Sequence, residues 1–247
     1  MRDGARILIT GAASGLGRAT ALRCADAGAK LTLVDVQADA GTQLASEIGA
    51  QFRQCDVSDP DAWERLAADV GVLDHAFLNA GIQAAPPAAP LEDYRMMAVP
   101  LEAYRRLLGV NVDGVVFGVR ALVPILQPGG SIVATSSLAG LVPYGIDPLY
   151  AMTKHAVTGL VRSVAGELAE RDLRINAICP GGVDTAIIPE EQRTPEAVFM
   201  TPDDLAIEVL RLFDVESSGE SWAKVSAERP AHVVHPPGKR RRERSDA

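Results

Sequence analysis

Short apolar segments alternate with amphipathic ones along almost the whole chain. Apolar runs at 6–10, 30–36, 51–57, 73–81, 131–137, 174–180 and 221–227 predict strands. The first six are rich in Ile, Val and Leu, as strands buried on both faces are. Helical periodicity between them predicts helices over 15–28, 39–49, 59–70, 101–123, 150–170 and 202–214. In 150–170, Met152, Ala156, Leu160, Val164 and Leu168 recur every four residues and form one apolar stripe. Ser58-Asp59-Pro60-Asp61 and Thr201-Pro202-Asp203-Asp204 each place a hydroxyl at a predicted N-cap and an acid at N3; the second also has Pro at N1.

Strand–helix alternation of this kind needs right-handed crossovers and a sheet covered on both sides. The expected fold is therefore a single α/β domain, a doubly wound (Rossmann) parallel sheet of seven strands with helices on both faces. The catalytic and binding domain is expected over 1–228, with an irregular basic tail over 229–247. The stretch 83–90, rich in Ala and Pro, reads as a loop inside the domain.

Composition narrows the picture. Hydrophobic residues make up 47% of 247 and aromatics only 4%, so Ala, Val, Leu and Ile must build the core. A net charge of −8 argues against a nucleic-acid footprint over the body. The exception is 239–247, with five basic groups against two acidic; a solvated tail is the expectation there. Cys24, Cys55 and Cys179 are odd in number and far apart, which fits a reducing cytoplasm better than a disulfide framework. No apolar run approaches 18 residues, so no membrane span is expected. His75, His155, His232 and His235 show no ligand spacing, and no metal site is read.

The first strand runs into Thr10-Gly11-Ala12-Ala13-Ser14-Gly15-Leu16-Gly17, which opens the first helix. Glycine permits a tight turn and close approach of backbone to a pyrophosphate, and the helix N-terminus offers free N–H groups to it. The second strand ends in Asp35, 24 residues after Gly11. A carboxylate there binds ribose hydroxyls and repels a 2′-phosphate, and neither Ser14 nor Val36 supplies a cation; NAD is favoured over NADP. Tyr150 and Lys154 are four apart and share a helix face. A free phenol has a pKa of about 10; an adjacent ammonium is expected to lower it and make Tyr150 a general acid/base. Ser137 lies 13 residues before Tyr150, where its hydroxyl can steady a substrate oxygen.

Taken in order, the glycine turn, Asp56-Val57, Asn79-Ala80-Gly81, Asn111, Ser137, Tyr150-x-x-x-Lys154 and Pro180-Gly181 resemble the short-chain dehydrogenase/reductase family over about residues 5–227. Within it the chain is most similar to the NAD-dependent 15-hydroxyprostaglandin dehydrogenase group. That likeness is carried by Leu33-Val34-Asp35, by 54–57, 136–141, Lys154-His155 and 176–181. The resemblance implies a catalytic set of Asn111, Ser137, Tyr150 and Lys154. It implies a cofactor site of Gly11, Ser14, Gly15, Leu16, Gly17, Asp35, Asp56, Val57, Asn79, Ala80, Gly81, Tyr150, Lys154, Pro180, Gly181, Val183 and Thr185. Asn111 is implied to act through a backbone-held water that passes protons to Lys154.

The pocket walls are expected from 83–99, 138–149 and 187–200, which offer Ala, Pro, Leu, Val, Met, Phe199 and Tyr144 but no cluster of cations. The expected substrate is an apolar secondary alcohol or ketone of steroid, fatty or terpenoid type. Asp147 stands where the prostaglandin group carries glutamine, and an acid on the wall is expected to repel a carboxylated substrate. Ser226-Ala227-Glu228 replaces the Asp-Gly-Gly-like ending common in the family, so a homodimer through 101–123 and 150–170 is expected ahead of a homotetramer. Two other readings stand beside this one: an NADP-dependent carbonyl or 3-oxoacyl reductase, and a non-catalytic dinucleotide-sensing protein.

Overall fold

The alternation folds as one sheet with helices on both sides. A computed structural model describes residues 2–236. The elements follow as β1 (Arg6–Thr10), α1 (Gly15–Asp26), β2 (Lys30–Asp35), α2 (Ala38–Ile48), β3 (Gln51–Gln54), α3 (Pro60–Val70) and β4 (Leu73–Leu78). After them come α4 (Leu101–Leu108), α5 (Gly114–Leu122), β5 (Leu126–Thr135), α6 (Pro148–Ala169), β6 (Arg174–Pro180), α7 (Pro202–Asp214), β7 (Ser221–Lys224) and β8 (His232–Val233). The sheet order is β3-β2-β1-β4-β5-β6-β7-β8. The chain winds outward from β1 on one side and from β4 on the other. The reversal between these two strands is where open α/β sheets bind ligands.

Two apolar layers sandwich the sheet. On one side Trp63 and Leu66 of α3, Val115 and Val119 of α5, and Val157 and Val161 of α6 pack on the strands. On the other, Leu16 and Cys24 of α1, Leu44 of α2, and Leu205, Val209 and Phe213 of α7 do the same. Central strand residues such as Ile7, Leu8, Ile9, Ile132 and Val133 are wholly buried, which explains why these strands read as continuous apolar runs.

Four local features differ from the sequence reading. The sheet has eight strands rather than seven, because β8 pairs antiparallel with β7 through Trp222–Val233 and Ala223–His232. This strand falls inside the stretch expected to be an irregular tail. Glu208 accepts the Ala231 N–H at 2.9 Å, and Lys224 Nζ donates to the Arg229 and Ala227 carbonyls, tying residues 227–233 to the sheet edge. Sequence periodicity cannot register a two-residue strand held by remote side chains. The basic run 239–247 lies outside the described residues.

The second difference is at α3. Its N-cap is Asp59, whose carboxylate accepts the Asp61 N–H, with Pro60 at N1. Ser58 instead donates its hydroxyl to Asp56 at 2.7 Å. Asx capping one residue later satisfies the orphan N–H and lets Pro occupy the position where it costs least. The matching signal at α7 forms as expected, a reciprocal capping box of Thr201 with Asp204.

The third difference is the helix expected over 101–123, which is interrupted by a π turn at Gly109–Asp113 carrying Asn111. The run from Leu101 to Ile125 is, by length and composition, apolar enough to cross a bilayer. Its apolar character is accounted for by Leu107, Val115, Val119 and Leu122, which face the core. Finally, β5 starts at Leu126, earlier than expected, and stops before Ser137.

His75 on β4 is buried, stacks on Phe213 at 4.9 Å and shares a 2.8 Å hydrogen bond with Ser131. Burial pushes its imidazole down to about 4. The unfolded chain therefore binds a proton near its ordinary pKa of about 6.5 while the folded chain does not. Stability should fall as pH drops from about 6.5 to about 4, by about 3 kcal/mol from this residue. Urea unfolding across that window should show a shallower pH dependence for His75→Asn than for the wild type. Parallel profiles would refute the assignment.

Candidate active site

A cleft of about 520 Å³ opens at the C-terminal ends of the strands, over the reversal between β1 and β4. Its floor is the glycine turn. Gly11 and Gly15 have φ of 62° and 50°, values that L side chains rarely adopt. A Cβ at Gly11 would lie 2.9 Å from the Ala80 Cα. Ser14 is the N-cap of α1 but makes no side-chain capping bond, and the first turn contains no acid. The first N–H groups of α1 are thus left for an anion from the cleft.

Asp35 ends β2 on the same cleft. Its carboxylate accepts the Ala13 N–H at 2.9 Å and the Gln37 N–H at 3.0 Å, which fixes its orientation and braces the turn. Its remaining lone pairs are available to hydroxyls. Asp56 and Val57 stand beside it, and Lys154, deep at the other end, is the one Lys or Arg of the lining among the described residues.

The reacting end is assembled from three elements. The N-cap of α6 is Asp147, followed by Pro148 at N1, and the helix carries Tyr150 in its first turn and Lys154 one turn on. Ser137 follows β5 and caps a short 3₁₀ turn at Leu138–Gly140. Pro180 ends β6, Gly181, Val183 and Thr185 follow it, and together they close the far wall. Lys154 is 2% exposed, and its Nζ donates to the Thr135 carbonyl at 2.9 Å and sits 5.5 Å from the Tyr150 ring centre. Burial pushes this amine down to about 8.

The phenol departs from the sequence expectation. Burial is the largest influence on Tyr150 and raises its pKa above the ordinary value; the hydrogen bond with Ser137 opposes this. Tyr144 and Asp147 raise it further. The Lys154 ammonium points to the Thr135 carbonyl, and loss of water around the ring outweighs its attraction for a phenolate.

Most residues expected from the sequence line this one cleft: Gly11, Ser14, Gly15, Leu16, Asp35, Asp56, Val57, Asn79, Ala80, Gly81, Ser137, Tyr150, Lys154, Pro180, Gly181, Val183 and Thr185. Three do otherwise. Gly17 is not on the wall; a Cβ there would run into the Gly11 carbonyl and lie 2.9 Å from the Asn79 amide, so this glycine serves turn-to-helix packing. Asn111 is fully buried behind the wall. Its Oδ1 accepts the Ile82 N–H at 2.8 Å, and its Nδ2 donates to the Ile82 carbonyl and to Thr153. Asp147, expected on the pocket wall, is also buried; its carboxylate accepts the Ala84 N–H at 2.9 Å and the Tyr150 N–H at 2.8 Å. It is a helix cap and a clamp, so it presents no free charge to substrate.

Sequence reading missed Thr135, and it placed Gln83 and Gln192 in the expected wall segments 83–99 and 187–200 without giving either a role. Thr135 acts through its carbonyl, which no side-chain pattern reveals. Gln192 donates to the Tyr144 hydroxyl at 2.8 Å across the cleft mouth, and Gln83 donates to the Ile187 carbonyl at 3.0 Å. The remaining substrate wall is apolar: Ile82, Val110, Leu138, Ile187, Ile188 and Phe199.

A glycine turn, an uncapped helix start, an acid at the end of β2 and a Tyr-Lys pair on one cleft are the parts of a dinucleotide-dependent oxidoreductase site. The chain belongs to the short-chain dehydrogenase/reductase family: the short chain dehydrogenase model matches residues 5–196. Among curated relatives it is 37% identical to a 3beta-hydroxysteroid dehydrogenase of Mediterraneibacter gnavus over 73% of this chain and 67% of that one. Among solved structures, BdcA in complex with NADPH superposes with a TM-score of 0.81 at 24% identity, covering 96% of this chain and 99% of that one. A 3-ketoacyl-(acyl-carrier-protein) reductase from Brucella melitensis complexed with NADH gives 0.79 at 28% identity, covering 90% and 97%. The chain is an oxidoreductase of alcohols or ketones that uses a nicotinamide dinucleotide.

The packing at Gly17 yields a test. Gly17→Ala should push the glycine turn off α1, lowering the melting temperature and weakening NADH binding by at least about tenfold in a fluorescence titration, because the Cβ meets backbone. Wild-type affinity in this variant would refute it.

Proposed function

We propose that the protein is an NAD-dependent dehydrogenase of apolar secondary alcohols, of steroid, terpenoid or fatty type, working reversibly as a ketone reductase. The observation that carries this reading is Tyr150, Ser137 and Lys154 facing a cleft whose substrate end is walled mostly by aliphatic side chains and Phe199, with Gln83, Tyr144 and Gln192 as its polar members. The related 3beta-hydroxysteroid dehydrogenase is named for a substrate of this kind. The likeness to the 15-hydroxyprostaglandin dehydrogenase group rests on short stretches at both ends of the cleft, and the relatives found are hydroxysteroid, borneol and cyclohexanol dehydrogenases. Among the described residues the substrate end offers no free cation for a prostaglandin carboxylate.

NAD is preferred in this reading because the ribose-facing end of the cleft carries Asp35 and Asp56 with no lysine or arginine beside them. A 2′-phosphate there would meet two carboxylates. The dinucleotide, when bound, supplies a nicotinamide that accepts or returns a hydride. The chain supplies the rest. The first-turn amides of α1 hold the pyrophosphate, and Asp35 holds the adenosine ribose. Lys154 holds the nicotinamide ribose and places positive charge near the phenol. Ser137 donates to the substrate oxygen, and Tyr150 takes the carbinol proton during oxidation or returns it during reduction. Asn111 completes the set from behind the wall: its side chain fixes Ile82, and its backbone is proposed to hold a water that passes protons to Lys154.

In the same reading the enzyme is cytoplasmic, in keeping with three buried free cysteines, and homo-oligomeric. Leu101 and Met152, on the two helices expected at a dimer interface, are exposed in the single chain.

Initial rates with NAD and NADP across a panel of cyclic secondary alcohols test the reading; turnover of phosphorylated polyols alone would overturn it. Tyr150→Phe should reduce kcat by at least about a thousandfold while NADH binding stays within about threefold of wild type. Asp35→Ala should narrow the NAD/NADP preference by roughly tenfold or more, and unchanged selectivity would remove the ribose role.

A further inference from the structure

One polar atom at the substrate end of the cleft has no partner. Gln83 lines the cleft and is 8% exposed, and its Oε1 is buried without a hydrogen bond among the described residues. The amide cannot be turned to cure this. Its Nε2 donates to the Ile187 carbonyl at 3.0 Å, and a carbonyl only accepts, so the oxygen must face the other way. A buried acceptor left unpaired costs about 1–3 kcal/mol, and such a group beside a ligand cleft is one that a ligand can satisfy.

The backbone around Gln83 is held unusually firmly. Ile82 is bonded through both its N–H and its carbonyl to the Asn111 amide. Ala84 is bonded to the Asp147 carboxylate, whose other oxygen takes the N–H of Tyr150 itself. Gln83 lies between these two anchors. Its position relative to the reacting phenol is therefore set by a short chain of buried hydrogen bonds and not by loop packing. The 3.0 Å bond to Ile187 ties the Gln83 amide to the segment after β6, and Oε1, facing away from that bond, is the acceptor left for a donor in the cleft.

We infer that Gln83 is a specificity-determining residue, and that its Oε1 accepts a hydrogen bond from a second hydroxyl on the substrate, distant from the carbinol that reacts. The preferred substrates are apolar polycyclic or monocyclic diols over mono-alcohols of the same skeleton. The inference rests on the alcohol dehydrogenase reading above and adds a second recognition point to it. A site with an unpaired buried acceptor rejects an analogue lacking the matching donor more strongly than an apolar wall rejects a missing methylene.

The test compares matched pairs with NAD: a saturated 3β-hydroxysteroid with and without a 17β-hydroxyl, and cyclohexane-1,4-diol against cyclohexanol. In at least one pair the wild type should favour the diol by roughly tenfold in kcat/KM, and Gln83→Met should bring that ratio to within about twofold of unity. Gln83→Met also frees the Ile187 carbonyl, equally for both members of a pair, so the ratio reads out the acceptor alone. A preference retained in Gln83→Met, or no preference in the wild type for either pair, overturns the inference and leaves the dehydrogenase reading standing; the second result is what a water satisfying Oε1 would give. If the wild type oxidises no member of either pair, the dehydrogenase reading fails and this inference with it.

Discussion

Three strand ends are laced together by one asparagine, and the site hangs on that lacing. Asn79, just past β4, donates its amide to the Thr10 and Gly11 carbonyls at the end of β1. Its Oδ1 accepts the Thr135 hydroxyl at the end of β5 at 3.1 Å. The Thr10 hydroxyl accepts the Asn79 and Ala80 N–H groups in return. Parallel strands that part company at a reversal in sheet order leave their terminal amides and carbonyls without ladder partners. Asn79 supplies both a donor and an acceptor, and so satisfies the gap that makes the cleft.

From that junction the geometry passes outward by contact. Thr135 presents its carbonyl to Lys154, and Lys154 sits beside the Tyr150 ring. The Asp147 carboxylate closes the circuit by joining the start of α6 to the segment after β4. Lys154 and Asp147 are buried and Asn79, Thr135 and Tyr150 half-buried, and away from water a hydrogen bond is stronger and an unpaired group more costly than at the surface. The reacting end is consequently rigid, while the mouth of the cleft is held by fewer ties: Gln192 to Tyr144 and Gln83 to the Ile187 carbonyl.

The electrostatics of the phenol depend on this burial. Tyr150 and Lys154 are both driven toward their neutral forms by desolvation, the phenol upward and the amine down to about 8. A charged amine near the ring favours the phenolate and so opposes the effect of burial on the phenol. Proximity of an amine one turn along the helix is thus a precondition of the chemistry and does not by itself set the pKa.

The sequence by itself determined the alternating α/β architecture, the parallel strands, and the glycine turn and strand-end acid that line the cleft. Those rest on local rules: period-3.6 stripes, uniformly apolar strands, glycines where backbone must approach closely, and an acid at a strand end. The eighth strand, the π turn at Asn111, and the roles of Gly17, Asp147, Thr135 and Gln83 were decided only in three dimensions. Asp147 read as a wall charge because sequence shows a residue's type and not which N–H groups consume its lone pairs. Thr135 was invisible because it works through main chain, and Gln83 because an unpaired oxygen is a property of everything around it. Local pattern fixes which segments meet; the pairing of buried polar atoms across segments far apart in the chain fixes what they do when they have met.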